Sequence, residues 1–139
     1  MNWLSIQRII GLLLMMFSVS MLTPTIITLI YEDGNSSSFL YSFLLTFFAG
    51  IITWFPSRNS INDLKLRDGF VVVAMFWIVL GSFGAAPFYY SAVPDMSLTD
   101  SIFESMSGLT TTGATVIRGL DSLPKSILFY IAKLAKMKQ

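Results

Sequence analysis

The chain has 139 residues, no Cys and no His, with 54% hydrophobic and only 12% charged residues. A soluble domain carries roughly 25% charged residues, so this is a membrane-protein composition, and the length is better counted in spans of about 20 residues. Lacking His and Cys, it has no imidazole base, thiol nucleophile, disulfide or thiolate zinc site, and nine basic against eight acidic residues leave no basic stripe for nucleic acid.

The first charge-free interval runs from Ile9 to Tyr31, between Arg8 and Glu32. At ~1.5 Å per residue it crosses a hydrocarbon core of ~30 Å, which predicts a spanning helix. A cleaved signal is the rival reading, but its apolar region is usually about 7–15 residues and no small-x-small cleavage site follows. Pro24 should kink or end the regular hydrogen bonding, which is tolerated where neighbours satisfy the freed carbonyl. The link Glu32-Asp33-Gly34-Asn35-Ser36-Ser37-Ser38 is a polar turn, and its Asn-Ser-Ser tripeptide is read as turn rather than glycosylation site.

A second span has its apolar core from Phe39 to Phe55, closed by Trp54 and Pro56. Arg58, Asp63, Lys65, Arg67 and Asp68 then return the chain to water. The third span holds the run Phe70 to Ala86, where Gly81 and Ala85, four apart, should let a neighbouring helix approach. The first link has no Lys or Arg and the second has three. The amino terminus and the 57–69 link are therefore expected to be cytoplasmic, and the third span to emerge outside near Tyr89 and Tyr90.

Leu98 to Leu109 is too short and too polar to span: ~18 Å of helix, opened by Ser97 with Asp100 at its positive end. Leu98, Ile102, Phe103, Met106 and Leu109 share one helical face, predicting an amphipathic half-helix. After it comes Thr110-Thr111-Thr112-Gly113-Ala114-Thr115, with no charge until Arg118. A pore that strips water from a cation must offer oxygens in return, and ringed backbone carbonyls do this without burying a formal charge. Gly permits the backbone angles such a loop needs, and a helix ending before it aims a partial negative charge at the ion. An external Ser/Thr loop after a surface helix fits the composition equally well. The outward third span, the re-entrant length of the half-helix and the Thr-x-Gly pattern together favour span, pore helix and filter. Glu104 either favours cations or braces the loop, and bracing is expected, because acids that select ions face the pore directly. Arg118 and Asp121 read as a solvated mouth, and Pro87, Pro94 and Asp95 as shaping the external link.

The run Phe103-Glu104-Ser105-Met106-Ser107-Gly108-Leu109-Thr110-Thr111-Thr112-Gly113-Ala114-Thr115-Val116 resembles the first pore loop of the TrkH-type potassium uptake proteins of the bacterial Trk/Ktr superfamily. The similarity extends from the amino terminus to about Tyr130. It implies an all-α integral membrane protein with three transmembrane helices, a re-entrant pore helix and an extended filter loop, part of a four-repeat potassium-channel-like fold. Residues 1–68 would be two leading transmembrane helices and a cytoplasmic link, and 69–123 the first pore repeat. Gly113 would be the filter glycine, and the carbonyls of Thr111, Thr112, Gly113 and Ala114 the potassium ligands of this repeat. The resemblance further implies potassium as transported ligand with no bound cofactor and no enzymatic activity. It places the chain in the bacterial plasma (inner) membrane, with a TrkA-type cytosolic regulatory subunit and a second copy of the membrane subunit as partners.

Residues 124–139 read as a divergent basic tail without a second span. Ile127, Ile131, Leu134 and Ala135 at helical spacing, among Lys133, Lys136 and Lys138, would suit a membrane surface, but the preferred reading is that the tail encodes nothing selected, as after a frameshift. One filter strand cannot enclose an ion, since a ring needs about four. The competing reading is therefore a truncated, non-conducting membrane protein that binds a full-length transporter or has no activity.

Overall fold

The computed structural model describes residues 2–32, 34–60, 63–91 and 95–136, so Asp33, Pro94 and Lys138 lie outside the described residues. The elements are α1 (Trp3–Ser20), α2 (Leu22–Tyr31), α3 (Ser36–Trp54), α4 (Leu66–Gly84), α5 (Ala86–Tyr90), α6 (Leu98–Thr110) and α7 (Lys125–Lys136). No strand occurs among the described residues. Three segments are long and apolar enough to cross a membrane: Trp3–Tyr31, Ser36–Ser57 and Leu66–Tyr90.

Two of these spans are broken, each by a proline. Pro24 has no N–H to give the Ser20 carbonyl four residues back, and the helix turns at Met21 before resuming as α2. The freed carbonyl is satisfied from a distance: the Lys133 ammonium donates to Ser20 O at 2.7 Å and to Thr23 Oγ1 at 2.9 Å. Pro87 likewise withholds a donor from Phe83, and α4 gives way to α5 at Ala85.

The spans pack on small and hydroxylated residues as well as on a few buried apolar ones such as Leu14, Phe17 and Phe39, and leave many large apolar side chains exposed. On α3, Ser38, Ser42, Thr46 and Gly50 face inward, while Leu44, Leu45, Phe48 and Ile52 are exposed. The hydroxyls satisfy themselves on the preceding turn, Ser42 donating to Ser38 O at 2.7 Å and Thr46 to Ser42 O at 2.8 Å. With lipid outside there is no hydrophobic drive between helices, so close backbone approach supplies the contact. The most extensive contact, α1 on α3, is made at Gly11 and Gly50. A Cβ on Gly11 would stand 2.8 Å from the Trp54 backbone nitrogen and 2.9 Å from Gly50 O.

The ends of the bundle are tied together in the same economical way. At one end Arg8 Nη1 donates to Ser60 O at 2.8 Å and Asn2 Nδ2 to Asp63 O at 3.0 Å, which puts the amino-terminal end and the second link on one side. At the other, Ser38 Oγ donates to Tyr90 O and Ser91 Oγ to Asn35 Oδ1. Asn35, only 4% exposed, precedes α3, whose first two residues are the Ser36 and Ser37 of the tripeptide, so the asparagine is packed against the protein.

The carboxyl-terminal segment differs from the expected tail. Residues 125–136 form α7, which packs on α2 and α6 and buries Ile127, Tyr130 and Leu134. Tyr130 is the hub: its hydroxyl donates to Gly84 O at 2.7 Å, and its ring meets Phe39 and Phe88 at centroid distances of 5.6 and 5.3 Å. Of the expected face, Ile127 and Leu134 are buried, whereas Ile131 and Ala135 are half-buried beside the α6 loop.

Two stability predictions follow from these contacts. Gly11→Ala or Gly50→Ala forces backbone apart and should cost about 1–3 kcal/mol, read as a lower thermal midpoint in detergent, whereas Gly69→Ala, with open space around it, should not shift it downward. Lys133→Met leaves the Ser20 carbonyl without its donor and should cost about 1–3 kcal/mol, with Lys133→Arg closer to the parent in the same melt.

Candidate functional site: the pore helix and its loop

The half-helix forms as the sequence predicts, one residue longer. Ser97 caps α6, its Oγ accepting from Asp100 N at 3.1 Å, with the Asp100 carboxylate at the positive helix end. The apolar face is only partly covered, with Leu109 buried and Ile102 and Met106 half-buried. Leu98 and Phe103 are exposed at 57% and 45%, and the buried face is Ser101, Glu104, Ser105 and Ser107, joined by Leu109. Small polar residues pack inward here because the docking surface on α4 is glycine: a Cβ on Gly84 would lie 2.5 Å from Ser105 Oγ, and Gly81 receives the Met106 side chain. Of the predicted pair, Gly81 makes the close approach, and its companion is Gly84 rather than Ala85.

The helix ends in a Schellman turn, with Thr111 N donating to Gly108 O at 3.2 Å and Thr112 N to Ser107 O at 3.0 Å. Thr111 takes the left-handed conformation there, φ +55°, a place that usually calls for Gly. A β-branched residue held at positive φ is strained, and such strain clusters at functional sites. Residues 112–119 then run without regular structure, with Gly113 at φ +75°. No atom lies within 4 Å of where a Gly113 Cβ would stand, so the glycine answers a backbone angle and not a lack of room.

Two side chains on the buried face of α6 hold this loop from behind. Glu104, 6% exposed, accepts from Thr115 Oγ1 at 3.0 Å to either carboxylate oxygen and from Val116 N at 3.2 Å. Thr115 Oγ1 in turn accepts from Ile117 N at 3.0 Å. One turn along, the Ser107 hydroxyl donates to the Ala114 carbonyl. Glu104 therefore braces the loop, as its position in the half-helix implied.

The four predicted ligand residues are brought together as one exposed stretch, Thr111, Thr112, Gly113 and Ala114. Among the described residues no hydrogen bond reaches the carbonyls of Thr111, Thr112 or Gly113, while that of Ala114 carries the Ser107 bond. A cleft of about 280 Å³ opens beside the loop between α6 and α7, lined by Gly108, Thr111, Gly113, Ile131 and Ala135 among others. Arg118 and Asp121 are exposed beyond it. No group of three or more acids poised for a metal ion occurs among the described residues. Sequence reasoning missed Ser107, Ser105 and Tyr130. The signal for the first two was available, because Ser101, Glu104, Ser105 and Gly108 repeat at the spacing of one helical face and Ser107 lies three residues beyond Glu104.

Three helices long and apolar enough to cross a membrane are thus followed by a half-length helix and an extended loop with unbonded carbonyls. The TrkH cation transport protein family model matches residues 35–138, and the chain belongs to that family. It is 54% identical over 130 residues to the Trk system potassium uptake protein TrkH of Vibrio parahaemolyticus and 49% identical to that of Escherichia coli K12, in each case covering 94% of this chain and 27% of the relative. The crystal structure of the potassium transporter TrkH from Vibrio parahaemolyticus superposes with a TM-score of 0.92 at 53% identity, over 96% of this chain and 29% of that one. The chain thus spans about a quarter of the length of the curated relatives it matches. The family match runs on through α7, past the point where the similarity was expected to stop.

The bracing is testable by removal. Glu104→Ala strands the Val116 N–H and the Thr115 hydroxyl and should cost about 1–3 kcal/mol, while Glu104→Gln, which keeps one acceptor oxygen, should cost less, both read by thermal melting in detergent.

Proposed function

We propose that this chain supplies one of four filter strands to a potassium uptake system of the inner membrane, with the carbonyls of Thr111, Thr112, Gly113 and Ala114 replacing the water of the ion. The observation that carries this reading is the combination in the loop: a strand gripped from behind by Glu104 and Ser107, with the Thr111, Thr112 and Gly113 carbonyls left unbonded. In the membrane an unbonded carbonyl costs free energy unless something else coordinates it, and a dehydrated cation is the partner that needs several such oxygens at once. The carboxyl-terminal end of α6, which points its partial negative charge at the start of the loop, adds to the attraction.

Residues 1–68 serve in this reading as the leading pair and 69–123 as the first pore repeat, with α7 opening the return from the filter. The basic residues of the second link favour a cytoplasmic amino terminus. A ring needs about four strands, so transport belongs to an assembly and the chain alone does not conduct. The relatives' naming as Trk system proteins supports potassium as the ion, and the resemblance supports a TrkA-type cytosolic regulatory subunit and a second membrane subunit as partners. The protein is a transporter component and no enzyme.

The test places this chain in the Vibrio parahaemolyticus TrkH in exchange for the matched segment, in a bacterium lacking potassium uptake. Growth at limiting potassium and rubidium uptake should be restored, and Gly113→Asp, which strains the φ +75° position and plants a carboxylate on the strand, should cut uptake about tenfold or more. Uptake that survives Gly113→Asp contradicts the reading, as does growth supported by the 139-residue chain alone.

A further inference from the structure

Ser107 touches the loop twice, on either side of Gly113. Its main-chain carbonyl accepts from Thr112 N at 3.0 Å, and its hydroxyl donates to the Ala114 carbonyl. Gly113 between them has nothing within 4 Å of its Cβ position and a backbone angle that leaves the peptides on both sides free to swing. Ser107 itself is 7% exposed and sits on a face of α6 docked against α4 and α7, since the neighbouring Gly108 would set a Cβ 3.2 Å from Leu134 Cβ. The strand is thus pinned at two points, on either side of Gly113, to a helix packed on α4 and α7.

From this geometry we infer that Ser107 is a positioning residue that sets ion preference, by fixing how far the Gly113 peptides stand from the ion. The inference rests on the reading of the loop as a filter strand. Sodium is smaller than potassium, so a ring accepts it only by contracting. A strand stapled on both sides of its glycine resists that contraction, and a strand held on one side yields to it. The Ala114 bond has a second effect: it takes one lone pair of that carbonyl and holds its peptide to α6, while the carbonyls of Thr111, Thr112 and Gly113 carry no hydrogen bond among the described residues. Glu104 does not duplicate this, because its bonds lie beyond Ala114, at Thr115 and Val116.

Ser107→Ala deletes the hydroxyl staple and leaves the main-chain one, and Ala is the better helix former, so α6 persists. Two measurements decide the matter. Ala114-Thr115 is the one Ala-Thr pair in the sequence, so carbonyl-13C alanine with 15N threonine reports that single peptide in the full chain in lipid vesicles. Its carbonyl resonance should move upfield in Ser107→Ala, as a lost hydrogen bond requires, and return in Ser107→Thr. In the chain exchanged into the Vibrio parahaemolyticus TrkH, the potassium-over-sodium preference of rubidium uptake should fall roughly fivefold in Ser107→Ala, the size of one net hydrogen bond, and recover in Ser107→Thr.

An unmoved carbonyl resonance, or a preference unchanged while uptake persists, overturns the role of Ser107 and leaves the filter reading standing. An unsubstituted exchange with no rubidium uptake, or uptake indifferent to Gly113→Asp, removes the filter reading and this inference with it.

Discussion

The structure turns on one constraint, that a non-helical loop is held to its neighbours by hydrogen bonds while several of its carbonyls stay unbonded. The loop after α6 meets it with a single helical face. Glu104 takes the Val116 N–H and the Thr115 hydroxyl, the Ser107 carbonyl takes the Thr112 N–H, and the Ser107 hydroxyl secures Ala114. The N–H groups of Thr112 and Val116 are taken by α6, and the carbonyls of Thr111, Thr112 and Gly113 carry no hydrogen bond among the described residues.

The support comes in layers. Gly81 and Gly84 let α6 lie directly on α4, with Met106 and Ser105 in the space their missing side chains leave. Tyr130 reaches from α7 to the Gly84 carbonyl, so the same residue that seats α6 is anchored from α7, which follows the loop in the chain. Lys133, one turn further along α7, completes the hydrogen bonding of the α1–α2 break. The α1–α2 break, α3, α4 and α5 are thereby linked through two side chains of a segment that reads, in sequence, as a basic tail.

Much of this architecture was legible in the sequence, because it is set by local rules. The three spans followed from charge-free length, the cap from Ser97 and Asp100, and the helix break from Pro24. The resemblance of the run from Phe103 to Val116 drew attention to the loop whose exposed residues the structure gathers. The first shortfall was in which face of α6 goes inward, which periodicity alone leaves open. An apolar stripe normally points to a core, but in lipid the large apolar residues face out, and α6 buries serines and a glutamate instead. The second failure was of range: Lys133 and Ser20 are 113 residues apart, and no periodicity within residues 124–139 discloses a partner on the first helix. The tail's helical spacing was visible, yet its buried side is set by Tyr130 and Leu134 meeting other elements.

The central claim is that the buried polar face of α6 holds the loop by its N–H groups. Amide hydrogen exchange at Thr112 and Val116, resolved by residue in the chain reconstituted in lipid, tests it most directly. The account predicts that both amides exchange far more slowly than that of Gly113, which lies between them and donates no hydrogen bond among the described residues. Equal, rapid exchange across residues 112–116 would contradict it, because the loop would then be an unsupported surface turn.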